Sequence, residues 1–152
     1  GNYSASLYPL KEAKDEGFDE VIYLDAAKEN FIEEVGSANI FIVKNDKILT
    51  PPLAGSILGG VTRDSVCIVA DKILKIPVKE VKLSIKDLIN ADEVFCTGTA
   101  VIVSPIGKLS YGGKGHNINQ NKIGQVTKKI RETILAIQNE KIKDNFGWLK
   151  YI

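Results

Sequence analysis

The stretch NIFIVKNDKILT (39–50) narrows the choice of fold more than any other part of the chain. Two runs rich in β-branched and aromatic residues flank Asn45-Asp46, residue types that tolerate the backbone of a tight turn, so the stretch predicts a hairpin. Two further β-rich runs, EVIYLD (20–25) and NFIEEV (30–35), lead into it, and together they read as a meander of antiparallel strands. Pro51 and Pro52 end the meander, because proline offers no N–H to a neighbouring strand. Beyond them, GSILGGVTRD (55–64) breaks at Gly59-Gly60 just before Thr62, whose hydroxyl can accept from the first free amides of a helix. Val66, Val69, Ala70, Ile73 and Leu74 then recur at helical offsets, predicting an amphipathic helix over about 63–75. A glycine-rich turn opening a helix can hold an anion on backbone N–H groups alone. An ordinary turn and cap would give the same pattern.

Before the meander, SLYPLKEAKDEG reads as a helix closed by Gly17, with Pro9 either starting it or kinking it. After the central helix, PVKEVKL alternates as a strand, SIKDLIN is a short helix, and DEVFCTG and AVIVSPI are strands joined around TGTA. KLSYGGKGHNINQNK is a polar, Gly-rich excursion. Val126, Ile130, Ile134 and Ile137 mark a long amphipathic helix, and FGWLKYI an aromatic tail that packs down. The expected class is α+β, with mostly antiparallel strands and helices packed outside.

The chain has 152 residues, enough for one domain with a real core. Its 20 basic and 19 acidic side chains leave a formal charge of +1, so neither nucleic acid nor an anionic membrane is an expected partner. No apolar run approaches a membrane span and no secretory leader is evident, which points to the cytoplasm, with an organelle as the alternative. Cys67 and Cys96 lack histidine or carboxylate neighbours at metal-ligand spacing, so no metal is expected and both read as buried free thiols. The chain contains no methionine, so it is expected to begin mid-protein or after processing.

Glu33 and Glu34 are adjacent in a strand, so one of them faces inward and needs a cation or a strong donor there, unless the strand lies at a twisted edge with both carboxylates wet. Thr97 and Thr99 offer hydroxyls and Gly98 with Ala100 leaves amides accessible, a combination suited to oxyanions and phosphates; a β-bulge would account for the same residues. YGGKGH (111–116) lacks the Gly-Lys-Ser/Thr ending of a phosphate loop and reads as a surface turn, with His116 exposed and without a triad partner.

Taken in order, EEVGSANIF, GSILGGVTRD and ADEVFCTGTA resemble the class IV pyridoxal-phosphate-dependent aminotransferases, and the opening GNY, TPPL, GTA and FGWL are similar to the branched-chain subgroup. The resemblance covers nearly the whole chain. It implies the large, cofactor-binding C-terminal domain of a fold-type IV enzyme, a pseudobarrel spanning 1–152, with the N-terminal small domain outside the chain. It implies pyridoxal 5′-phosphate as cofactor, with Gly60 at its binding site and its phosphate on the amides of Val61 and Thr62 and on the Thr99 hydroxyl. Leu58 would pack on the pyridine ring, Glu34 would pair with the ring nitrogen and Tyr3 would reach the phenolic oxygen. Gly98, Thr99 and Ala100 would receive the substrate carboxylate. The implied reaction exchanges an amino group between leucine, isoleucine or valine and 2-oxoglutarate, in a homodimer.

Four departures accompany the resemblance. The family's coenzyme-linked lysine falls upstream of Gly1, so no catalytic residue is expected within the chain. The small domain, with a phosphate-binding arginine, is likewise outside it. The usual Leu-Pro-Gly reads Leu58-Gly59-Gly60, which suggests a looser turn, and Pro9 is unusual in the first helix. Val101-Ile102-Val103-Ser104 replaces the Cys-x-x-Cys of animal members, so thiol regulation of that kind is not expected. The competing readings are a D-amino-acid aminotransferase, an aminodeoxychorismate lyase, and a non-catalytic phosphate-binding module in which Glu34 is structural.

Overall fold

The computed structural model describes residues 4–27 and 31–151. Tyr3 lies outside the described residues. After a turn of 3-10 helix at Ser4–Ser6 come α1 (Leu7–Asp15), β1 (Ile22–Leu24), β2 (Ile32–Val35), β3 (Ala38–Lys44) and β4 (Lys47–Thr50). A strap over 51–60 leads to α2 (Val61–Ile68), which continues as a π-helical segment, Val69–Leu74. Then follow β5 (Val78–Glu80), α3 (Ile85–Ile89), β6 (Glu93–Gly98), β7 (Ile102–Pro105), the hairpin β8 (Lys108–Tyr111) and β9 (Lys114–Asn117), and α4 (Gln125–Gln138). The expected α+β class holds, and the main sheet pairs antiparallel except for β4 with β5, which run parallel.

The hairpin expected around Asn45-Asp46 forms, both turn residues taking positive φ (49° and 57°), the backbone that matches strand twist in a two-residue loop. β2 and β3 form a second tight hairpin: Val35 faces Ala38 and Glu34 faces Asn39 across Gly36-Ser37, with Gly36 at φ 54°. β3 is the hub. β6 runs along one of its edges, while the other is divided, with β2 pairing at Asn39 and β4 taking over from Ile42. In the fork between β2 and β4, the Ile40 carbonyl accepts from the Thr50 hydroxyl at 2.7 Å. The strap starts at this fork.

The sheet buries both faces. Phe41, Val43, Phe95 and Val103 meet Val66, Val69 and Ala70 of the α2 segment and Ile130, Ile134 and Ile137 of α4, with Phe41 and Phe95 stacked at 5.0 Å between centroids. Ile40, Ile42, Val94 and Cys96 face the other way, toward Leu83, Leu88 and Leu109. The aromatic tail packs on the first of these cores through Phe146 and Trp148, as expected. The Gly-rich excursion is more ordered than its composition suggests. It is a hairpin with Gly112-Gly113 at the tip, and His116, expected to be exposed, is half-buried beside the buried Leu109 it pairs with.

A buried carboxylate anchors α4. The residue at the helix N-cap is Gly124, which has no side chain to offer, and Glu93 of β6 supplies the cap instead. Its Oε1 accepts from Val126 N–H at 3.0 Å, and its Oε2 accepts from the Thr127 N–H at 2.8 Å and the Thr127 hydroxyl at 2.7 Å. This satisfies orphan donors at the positive end of the helix dipole.

Both cysteines are free thiols, as expected, Cys96 buried and Cys67 partly so. Burial pushes the Cys67 thiol up, and pushes Cys96 up to about 11. Alkylation of the folded protein at pH 8 is therefore expected to leave Cys96 unmodified until urea is added, since the thiolate is the reactive form. Mass spectrometry of the labelled protein checks this, and rapid labelling of Cys96 in the native state contradicts it.

Candidate functional site

The fork in the β3 edge gathers the polar residues singled out from sequence. Ile22 pairs with Val35 but Leu24 with Ile32, so β2 carries one more residue than β1 over this step, a β-bulge. The bulge lets Ile32 and Val35 both enter the core shared with Ile40 and turns Glu34 to the other face, beside Asn39. Glu34, the residue the resemblance singled out, is the inward one of the pair and only 7 % exposed.

Hydrogen bonds from a strand and from the strap fix that carboxylate. Glu34 Oε1 accepts from the Asn39 Nδ2 at 3.1 Å and from the Leu58 backbone N–H at 3.2 Å, while the other Asn39 amide hydrogen goes to the Leu58 carbonyl at 2.8 Å. Leu58 belongs to the strap, so its peptide groups are sewn to β2 and β3 at the point where the strap turns into α2. Both protein bonds go to Oε1. Oε2 accepts no hydrogen bond among the described residues. Burial raises the Glu34 carboxyl above the usual carboxylate range, opposed by the Leu58 N–H and reinforced by the neighbouring charge of Glu33.

The sign of the linkage follows. An acid whose folded pKa is raised disfavours the fold once ionised, a cost absent below its unfolded value and complete above its folded one. Without ligand, stability should therefore fall as pH rises upward from the ordinary glutamate value, and Glu34→Gln should flatten that slope. Urea unfolding over a pH series measures it, and identical slopes for the two proteins would contradict the assignment.

Gly60 caps the start of α2 by its backbone, and no side chain caps it. Thr62, expected to cap the helix, instead lies inside the first turn, because the helix starts at Val61 rather than near residue 63. The helical stripe is also shorter than expected, with Ile73 at 38 % exposure in the π-helical stretch. Neither glycine of the pair has positive φ. Gly60 is needed for space: a Cβ there would lie 2.5 Å from Asn39 Oδ1. Leu58 and Val61 project outward, 63 % and 86 % exposed, flanking the helix terminus.

β6 brings up the other side. Thr97 pairs with Asn39, and its hydroxyl is buried with no hydrogen-bond partner among the described residues. Gly98 ends the strand, with its position for a Cβ 3.7 Å from Ala38 Cβ, and Thr99 and Ala100 form the exposed turn into β7. Glu34, Leu58 and Gly60 are thus linked through Asn39, Val61 and Thr62 follow in the first turn of α2, and the Gly98–Ala100 turn leaves the sheet next to Asn39's partner. Gly98, Thr99 and Ala100 also border a cavity of about 1220 Å³ between α1, β1 and the far side of the sheet, which Glu34 and Leu58 do not line.

Sequence reasoning missed Asn39 and Arg63. Asn39 had a usable signal, since a two-residue loop at Gly36-Ser37 sets 34 opposite 39. Arg63 had none. It is 5 % exposed and its guanidinium donates to the Pro51 carbonyl at 3.0 Å and to Glu80 at 2.8 Å, bracing the far end of the strap. Among the described residues no group of histidine, cysteine and carboxylate side chains could hold a metal ion, and no helix is long and apolar enough to cross a membrane.

A model of the class IV amino-transferase family matches residues 1–109, a span that holds every residue of this site. The chain belongs to the class IV aminotransferases. It is 44 % identical over 97 % of its length to a probable branched-chain-amino-acid aminotransferase of Staphylococcus epidermidis, and 45 % identical over 97 % to branched-chain-amino-acid transaminase 1 of Bacillus subtilis. It spans 43 % of each of those relatives, less than half their length. Among solved structures, the branched-chain amino acid aminotransferase of Escherichia coli superposes with a TM-score of 0.87 at 37 % identity, covering 99 % of this chain and 48 % of that one. A branched-chain amino acid aminotransferase from T.th., solved with pyridoxamine 5′-phosphate, gives 0.88 at 34 % identity, with the same coverage of 99 % and 48 %. The fold of this class IV aminotransferase chain is therefore that of the branched-chain enzymes.

Proposed function

We propose that residues 1–152 form the C-terminal, cofactor-binding domain of a branched-chain-amino-acid aminotransferase that uses pyridoxal 5′-phosphate. The observation that carries this reading is the Glu34 carboxylate, buried and held by one oxygen, with the other left for a donor at the foot of a helix that no side chain caps. That donor set suits a flat heterocycle with a basic nitrogen at one end and a phosphate at the other. The buried Thr97 hydroxyl, without a partner among the described residues, marks the same place as one fitted for something more than protein.

Each residue then has a task. Glu34 Oε2 would accept a hydrogen bond from the ring nitrogen, and Leu58 would pack on the ring. Gly60 would let the backbone come close while the amides of Val61 and Thr62 would receive the phosphate, helped by the Thr99 hydroxyl; Tyr3, outside the described residues, would serve the phenolic oxygen. Amides at Gly98, Thr99 and Ala100 hold the carboxylate of the amino acid or 2-oxo acid, which orients the Cα–H bond. When bound, the coenzyme supplies an electron sink for the carbon from which the proton leaves. The lysine that moves this proton, and a small domain that completes the side-chain pocket, come from the rest of the protein, which works as a homodimer.

The test is substrate profiling. The whole protein is expected to convert L-leucine, L-isoleucine and L-valine with 2-oxoglutarate to glutamate, and residues 1–152 alone are expected to be inactive. Activity on D-alanine without activity on L-leucine would replace this reading with that of a sibling enzyme, and turnover by residues 1–152 alone would refute the division of labour.

A further inference from the structure

We propose that Asn39 is a positioning residue for Glu34, selecting the oxygen that the glutamate presents and holding the carboxylate in register with the start of α2. The inference rests on the cofactor reading given above and adds to it a residue that never touches the ring.

The orientation of the Asn39 amide is set by chemistry. Leu58 O can only accept, so the atom facing it is the Nδ2 donor, and the second hydrogen of the same nitrogen is then directed to Glu34 Oε1. One amide group therefore fixes a carboxylate and a strap carbonyl with respect to each other. The Leu58 N–H returns to the same Oε1, so that Asn39, Glu34 and both peptide groups of Leu58 close a hydrogen-bonded ring. Rotation of the carboxylate about its last bond, which would exchange Oε1 for Oε2, breaks two bonds at once. The Oδ1 of Asn39 occupies the space that a side chain at residue 60 would need, a Cβ there lying 2.5 Å from it, so Gly60 is what admits the amide in this orientation. On its β6 side Asn39 is paired with Thr97 and is 6 % exposed, which keeps water from competing for its hydrogens.

The consequence is electronic as well as geometric. Two donors on Oε1 favour the ionised carboxylate over its protonated form, so the ring nitrogen facing Oε2 keeps its proton. With Asn39 gone, one donor is lost and the carboxylate becomes more basic and free to turn, so the proton shared between the ring nitrogen and the carboxylate should pass to the carboxylate oxygen. A residue that merely held the strap in place would alter how tightly the coenzyme binds and leave this proton alone.

The experiment uses the whole holoprotein loaded with pyridoxal phosphate labelled with ¹⁵N in the ring. The ring-nitrogen shift is followed against pH for the wild type, Asn39→Ala and the milder Asn39→Ser, which keeps one hydroxyl donor and serves should the alanine variant fail to fold. In Asn39→Ala the ratio of protonated to unprotonated ring nitrogen on the low-pH plateau, read from the ¹⁵N shift, should fall about tenfold, with Asn39→Ser between. In a Glu34→Gln background, Asn39→Ala should produce no further fall. A wild-type ratio in both Asn39 variants overturns the inference while leaving the cofactor reading intact. A wild-type protein that does not take up pyridoxal phosphate overturns both.

Discussion

Glu34→Gln is expected to lower the turnover number of the whole protein about ten- to hundredfold, the worth of one hydrogen bond to a charged partner, while changing coenzyme retention no more than about threefold. Glutamine keeps the shape of the side chain and an oxygen for the Leu58 N–H and Asn39 Nδ2, so the ring of bonds that joins strap to sheet survives. What it loses is the negative charge that, on the proposed reading, would keep a proton on the coenzyme nitrogen. Steady-state kinetics and equilibrium dialysis separate the two quantities, and an unchanged turnover number with normal coenzyme content counts against the role given to Glu34. Glu34→Ala is less informative. It leaves the Leu58 N–H and one Asn39 hydrogen buried without acceptors, at about 1–3 kcal/mol each, so lost stability and lost chemistry would be confounded.

Gly124→Ala is expected to be the most damaging conservative change outside the site, with a loss of about 2–4 kcal/mol. The backbone is no obstacle, since Gly124 has φ −72° and ψ 152°, which alanine adopts freely. Space is the obstacle: a Cβ would fall 1.9 Å from Glu93 Cδ. The glutamate cannot step aside at small cost, because its three hydrogen bonds to Val126 and Thr127 are what cap α4. Displacing it leaves those donors unmet and a carboxylate buried without partners. Urea unfolding measures the loss, and a midpoint within experimental error of wild type would show that Glu93 does not anchor the helix. Glu93→Ala should lose the same cap, and the double variant should cost little more than either change alone.

The parts of this fold that were legible in sequence are those governed by local chemistry. The Asn45-Asp46 turn, the breaks at Pro51-Pro52 and the stripe of α4 each follow from a few neighbouring residues. The β8–β9 hairpin was obscured because its strands, KLSY and KGHN, carry little apolar alternation; only Leu109 and the glycines at the tip mark it. The cap of α4 could not be read at all, because its carboxylate comes from β6, more than thirty residues earlier, and only tertiary structure makes them neighbours. The same limit applied to the site. Residue chemistry alone left Glu33 and Glu34 equivalent, the family resemblance chose Glu34, and the bulge supplies the physical reason; Thr62 looked like a cap because the sequence does not show that Gly60 must yield its side chain to make room for Asn39.

The divided edge of β3 has a mechanical meaning. A strand pair resists shear along its whole length, whereas at the fork β2 and β4 do not pair with each other; they are bridged by side chains, Asn39 to the Leu58 carbonyl and Thr50 to the Ile40 carbonyl, and by the Leu83 carbonyl just beyond β5, which accepts from the Ile32 N–H at 2.7 Å. On the proposed reading, the ring nitrogen would be gripped from β2 and the phosphate from the start of α2, two segments coupled through the hydrogen bonds that Leu58 makes to Glu34 and Asn39. A ligand long enough to load both would draw them together, whereas inorganic phosphate or pyridine alone would load only one.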